Sequence, residues 1–302
     1  MIGLFGKTSA HGDFIKLNAS APVVSSFAQW LNEGVQLLGQ ANVGFPSTPV
    51  GFLYSDSSQR EVLVGAFVRS QDKVGREFPL SIFAMLDARV AATIFPLVPS
   101  AYDAFLNEVV GILLGAQGLD VSALGQRMAI LREPSQSDLS AAEATSTSEL
   151  NAYTMGEFQQ QFGALGQGHH YYAFHAVLSA CESLRGSPPP TSGIITLECP
   201  IASATMSMAW LQLTKRALKW HVSPSFFWTS DESRRLLLSL GSPPPAVMKY
   251  IVGADPNAAK LWPLRTTSDA AILAAHKALD PNLRASIDTP QNSFSHVLST
   301  IA

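Results

Sequence analysis

The sequence predicts an α/β (α+β) layered fold, and three observations carry that prediction. Short runs rich in Val, Phe, Ile and Leu, at residues 50–54, 61–68 and 78–86, are bounded by Ser, Asp, Gln or Gly clusters and read as strands. Val24, Phe27, Leu31, Val35 and Leu38 recur every three or four residues and so share one helix face. The two element types alternate within the first hundred residues, and helices packed on four or five strands make a layered domain.

Each element follows from local chemistry. Residues 2–6 form a short apolar first strand. Ser20-Ala-Pro22 opens the first helix, with Ser20 as candidate N-cap and Pro22 in the first turn, where its missing N–H is no loss. Trp30 lies beside the apolar stripe, and Gly44, Pro46 and Pro49 break the pattern. After the strands, Ser100-Ala-Tyr-Asp103 is a candidate cap for a second amphipathic helix carrying Phe105, Leu106, Val109, Ile112 and Leu113.

From Leu131 to Asn151 the composition shifts. Residues 133–149 hold a single large apolar side chain, Leu139, too little for a core face. The expected organisation is an N-terminal α/β domain over 1–130 and a Ser/Ala/Thr-rich linker or loop over 131–152. A C-terminal helical/αβ half over 153–302 then completes the first or packs on it. In that half two helices are expected over 155–184, a strand over 191–198 and a helix over 209–220. The cations Lys215, Arg216 and Lys219 of that helix sit near its negative end. An aromatic strand over 224–229 precedes a helix capped by Ser230-Asp-Glu and running to Leu240, and further helices follow from Ser268 and after Gln291.

Composition removes several function classes. Charged residues make up 14% of the 302 and the net charge is −3, against about 25% charged in ordinary domains. There is no basic excess to bind nucleic acid or anionic lipid. The 16 Phe, 5 Trp and 6 Tyr exclude a solvating disordered chain. Two cysteines, Cys181 and Cys199, are too few for a disulfide scaffold and read as buried thiols in a reducing cytoplasm. Residues 1–7 lack a signal-peptide pattern, and no stretch of about 20 apolar residues is present, so no membrane insertion is expected. An uncharged polar surface leans toward protein binding.

Catalytic patterns are missing. Among the seven histidines, His169 and His170 are adjacent, and His170 and His175 are five apart, so neither pair converges on a metal. Cys181 sits mid-helix, which favours a structural thiol over a nucleophile paired with His175 or His221. No Gly-x-Ser-x-Gly elbow or phosphate-cradling glycine loop occurs. No catalytic, metal or cofactor-binding residues are expected, and no cofactor.

Two polar motifs stand out. Phe5-Gly-Lys7 and then His11-Gly12-Asp13-Phe14 follow the first strand directly. Ser70-Gln-Asp72-Lys-Val-Gly75-Arg76-Glu-Phe-Pro-Leu80 joins two strands. Asp72 and Arg76 flank a glycine free to take positive φ, and a bidentate carboxylate–guanidinium pair across the turn is expected. A salt-bridged turn leading into a buried Phe-Pro-Leu strand is the weightier reading. The functional one is a polar loop presented to a partner.

These residues, with the helix holding Trp30-Leu31, resemble the TagF family of type VI secretion-associated proteins. Its pattern runs Gly-Lys-x-Pro-x-(Arg/His)-Gly-Asp-Phe and then Pro-Ser-x-Asp-x-x-Gly-Arg-x-Phe-Pro-Leu. Two such motifs in order, about 60 residues apart, are fairly specific. Ser225-Phe-Phe-Trp228-Thr229, followed by Gly241-Ser-Pro243, is similar to a third family segment. The departures are Ser9 and Arg69 where the family has Pro, Glu77 where an aromatic is common, and Ser242 where Leu is expected. The resemblance covers the first 90 residues well and 220–250 less closely. It does not extend to the linker or the tail.

The resemblance implies a three-layer αβα sandwich around a central mixed sheet, with added helices in the C-terminal half. It implies a cytoplasmic accessory protein with no established catalysis, a post-translational repressor of apparatus assembly that binds the forkhead-associated (Fha) scaffold protein. Lys7, Gly12, Asp13, Phe14, Asp72, Gly75, Arg76 and Trp228 are its candidate partner-binding or motif residues. Two alternatives stand beside it. One is a structural scaffold component of the apparatus. The other is a small-molecule-binding enzyme using Asp13, Asp72 and Arg76, which requires these side chains to converge on a cleft.

Overall fold

Strands that are apolar at successive positions need a sheet covered on both faces, and the computed structural model of the chain contains one. It describes residues 1–56, 60–162, 168–191, 194–229, 234–266 and 268–301. The strands are β1 (Ile2–Gly6), β2 (Ile15–Leu17), β3 (Val50–Ser55), β4 (Glu61–Val68), β5 (Leu80–Asp87), β6 (Thr196–Pro200), β7 (Ser225–Thr229), β8 (Arg235–Ser239) and β9 (Leu261–Pro263). They form one sheet in the order β2-β1-β5-β4-β3-β7-β8-β6-β9. Every pairing is antiparallel except β6 with β9, so the sheet is mixed.

The period of two sorts side chains between two cores. In β4, Val62, Val64 and Ala66 enter one core while Leu63 and Phe67 enter the other. In β7, Phe226 and Phe227 divide in the same way. Helices cover both faces, giving the expected three-layer αβα arrangement. In chain order they are α1 (Pro22–Gln40), α2 (Ala88–Ile94), α3 (Val98–Ala101), α4 (Asp103–Leu114), α5 (Val121–Met128), α6 (Gln136–Ala152), α7 (Met155–Gln160), α8 (His169–Glu182), α9 (Ala204–Leu218), α10 (Val247–Ile251), α11 (Asp269–Ala278), α12 (Pro281–Ile287) and α13 (Phe294–Ser299). Helices α1 and α10 supply the smaller core. The larger core takes side chains from α4, α8, α9 and α13, among others.

Helix α1 begins as its proline requires, with Pro22 at the first position, but Ala21 is the N-cap and no side chain caps it. Phe27 stacks on Phe52 of β3 at 4.8 Å between centroids, and Trp30 stacks on Phe227 of β7 at 4.9 Å. Burying each such ring stabilises the fold by about 1.5–3 kcal/mol. The Trp30 indole also donates to the Pro244 carbonyl at 3.1 Å. One N-terminal helix is thus fastened to strands from both parts of the chain.

Besides the uncapped start of α1, where Ser20 is the expected cap, the structure differs from the sequence expectation in four places. Residues 136–152, inside the expected linker or loop of 131–152, form the 17-residue helix α6. Too few apolar residues for a core face does not mean too few helix formers. Ala and Glu favour helix, and Ser135 with Asp138 closes a capping box. The helix expected to end at Leu240 is replaced by strand β8, and its Ser230-Asp-Glu cap lies outside the described residues. Leu236, Leu237 and Leu238 are buried on both faces between β7 and β6, and that burial overrides the helix preference of leucine. Residues 98–114 are two helices, not one capped at Ser100, since Ser100 Oγ donates to the Leu97 carbonyl. The strand expected from Thr191 is described only from Thr196, with residues 192–193 outside the described set. Among the described residues no single helix is long and apolar enough to cross a membrane.

Candidate functional site

The two motifs meet at the end of β1. Gly6 leaves the strand with φ +145°, and a Cβ there would collide with the Pro79 carbonyl oxygen. That close passage carries Lys7 beneath the 70–76 loop. Ser70 Oγ donates to the Lys7 carbonyl at 2.8 Å, and the Lys73 amide donates to the His11 carbonyl at 2.8 Å. Gly75 turns the loop with φ +85° in open space.

Asp72 is the hub. It is 1% exposed, and its carboxylate accepts from four donors. These are the Val74 amide at 3.0 Å, the Arg76 amide at 2.9 Å, Arg76 Nε at 2.6 Å and the buried Lys7 ammonium at 3.0 Å. Removal from water pushes its pKa up. The Arg76 amide, the Lys7 ammonium, the Arg76 guanidinium and the Val74 amide override that and hold the carboxyl well below the usual carboxylate range. The expected bidentate pair does not form. Arg76 gives Asp72 only Nε and sends Nη2 to the Gly12 carbonyl at 2.7 Å, so its fork binds the two motifs together.

An aromatic cluster lies against this network. Phe14 stacks on Phe5 at 5.4 Å with a 7° interplanar angle, and meets Phe78 edge-on at 4.8 Å. The Lys7 ammonium is 5.0 Å from the Phe14 centroid, so it lies between a carboxylate and a ring face. Phe14 remains 38% exposed, and Val74 of the 70–76 loop is 70% exposed. A cleft of about 410 Å³ lined by Phe5, Asp13, Phe14, Lys16 and part of α1 adjoins them.

Lys7, Gly12, Phe14, Asp72, Gly75 and Arg76 therefore come together. Asp13 is next to them in sequence but exposed, and its carboxylate accepts the Phe14 amide at 2.7 Å. It shares no donor with Asp72. Trp228 is not part of the cluster. It lies in β7, separated from β1 by β5, β4 and β3, and packs over Gly51 of β3. Phe5, Ser70 and Phe78 complete the site without having been singled out as site residues. Their signal was their place inside the two motifs.

Asp72 is saturated with donors and stays ionised, so it positions two loops instead of exchanging protons. Elsewhere, burial pushes the Cys181 thiol up to about 12 and raises that of Cys199, away from a reactive thiolate. Both cysteines are free and buried. Burial also pushes His170 down to about 4. Among the described residues, no group of three or more His, Cys, Asp or Glu side chains is disposed to hold a metal ion.

Residues 3–131 match the family model of the TagF N-terminal domain, Type VI secretion system-associated. This stretch is a TagF N-terminal domain. The TagF domain thus comprises β1–β5 with α1–α5, ends just before α6, and contains both motif loops. It makes the chain a type VI secretion system-associated protein. No curated protein matches the chain. Among solved structures, PA0076 from Pseudomonas aeruginosa PAO1 is similar with a TM-score of 0.46 and 18% identity, the match covering 84% of this chain and 94% of that one.

Proposed function

We propose that this chain is a cytoplasmic accessory regulator of the type VI secretion system, a post-translational repressor of apparatus assembly that acts by binding the forkhead-associated (Fha) scaffold protein. The observation that carries the reading is the state of the motif inside the TagF domain. Its central charges, Lys7 and Asp72, are engaged internally, and what it presents outward includes Phe14, Val74 and the outer part of Arg76, with Asp13 and Lys73 also exposed. Exposed apolar side chains and a partly exposed guanidinium on one motif suit a protein contact. Asp13 and Asp72 have different partners and different exposure, so the enzyme alternative is left without a shared reacting centre.

Deletion of the gene is expected to raise secretion of the tube protein, and the wild-type chain should restore the lower level. The Phe14→Asp, Val74→Asp double variant should fold, fail to restore repression, and lose stoichiometric co-purification with the scaffold. Unchanged secretion in a strain with an assembled apparatus would sink repression. Loss of secretion would instead identify a required structural component.

A further inference from the structure

We propose that the groove between α4 and α6 is a docking site for a cationic amphipathic helix of a partner protein. This goes beyond the motif surface, since none of the groove's lining residues belongs to that cluster.

The groove has a volume of about 570 Å³, with Met208 of α9 in its lining. Its lining carries Asp103, Glu108, Glu133, Asp138 and Glu149 against one guanidinium, that of Arg132. The Met1 ammonium, 2.6 Å from Glu133, offsets one carboxylate more. The negative surplus left is comparable with the −3 of the entire chain. A concave surface with that surplus attracts cations and disfavours anionic partners.

The walls suit a helix. Ala101 and Ala104 line one side, and Ala141, Ala142 and Thr145 the other. Such short side chains leave room for a second backbone. The α6 wall runs from Asp138 to Glu149, about 17 Å or three helical turns. Along all 17 residues α6 buries only Ser146 and Leu150, so most of its surface has no covering partner within the chain. An amphipathic helix laid into a groove is a recurring recognition mode.

Ser146 points independently to an occupant. It is 3% exposed and lines the groove, yet its hydroxyl has no hydrogen-bond partner among the described residues. On the groove lining, that hydroxyl is open to a polar group that a docked chain would bring.

The test uses the full chain and a synthetic amphipathic Leu/Ala/Lys helix of about 18 residues, with a Glu-for-Lys peptide as control. Fluorescence anisotropy measures binding, and amide hydrogen exchange locates it. The Lys peptide is expected to bind, to weaken several-fold with rising salt, and to slow exchange across 138–149. Asp103→Asn with Glu108→Gln should weaken binding about tenfold. Thr145→Arg, which adds bulk and a like charge, should abolish it, with thermal melts showing both variants folded. Equal binding of the Glu peptide overturns the proposal. So does protection located away from α4 and α6, binding indifferent to both variants, or no saturable binding.

Discussion

At Gly6 the chain needs both a backbone conformation closed to L side chains and a contact with Pro79 that leaves no room for a Cβ. Gly6→Ala is therefore expected to destabilise the protein by about 3 kcal/mol or more. Urea unfolding should show a lower midpoint with the slope preserved. His170 behaves differently. Burial holds its pKa near 4, with Asp288 raising it and His169 and His276 lowering it further. A folded pKa below the unfolded value of about 6.5 means the neutral ring's contribution is complete above that pH and is lost as pH falls toward 4. His170→Phe should flatten stability across that window, which thermal melts at successive pH values will read. A decline as steep as the wild type's would show that another group titrates there.

Helix α6 depends strongly on its own ends. Its burial is slight, so the Ser135–Asp138 capping box carries an unusual share of its stability. Ser135→Ala should cost about 1 kcal/mol, visible first as faster amide exchange over residues 136–140, with little change in global unfolding. This element also marks where sequence reading reaches its limit. The stripe Val24–Leu38 and the strands over 50–86 were legible because burial imposes their periodicities. In α6 burial imposes almost nothing, so composition suggested a loop where capping and alanine make a helix. In β8 burial imposes too much. A run of three leucines looks the same whether it is a helix face or a strand covered on both sides, and only its neighbours β7 and β6 decide. The motif site was legible as two loops because glycine, aspartate and arginine declare turns. The partnership of Lys7 with Asp72 was not, since 65 residues separate them and nothing local to either specifies the other.

At the scale of the molecule, the TagF match stops at residue 131 and the sheet does not. Strand β3 is paired with β7, and Trp30 is stacked on Phe227, so residues 1–131 alone would present an open sheet edge and an uncovered aromatic core. Exposed edges pair with other chains. A 1–131 fragment is expected to aggregate on size-exclusion chromatography under conditions where the full chain elutes as a discrete species. A discrete, cooperatively unfolding fragment would show that the TagF domain folds by itself.

The seam between β3 and β7 also places a condition on descent. Gly51 faces Trp228 across the ladder, and the indole occupies the volume a side chain at 51 would need. Neither position can drift freely while the other stays as it is. Among related chains a residue larger than glycine at 51 should accompany a smaller one at 228. Two stretches of sequence far apart in the chain would then carry a joint record of how the halves were kept together.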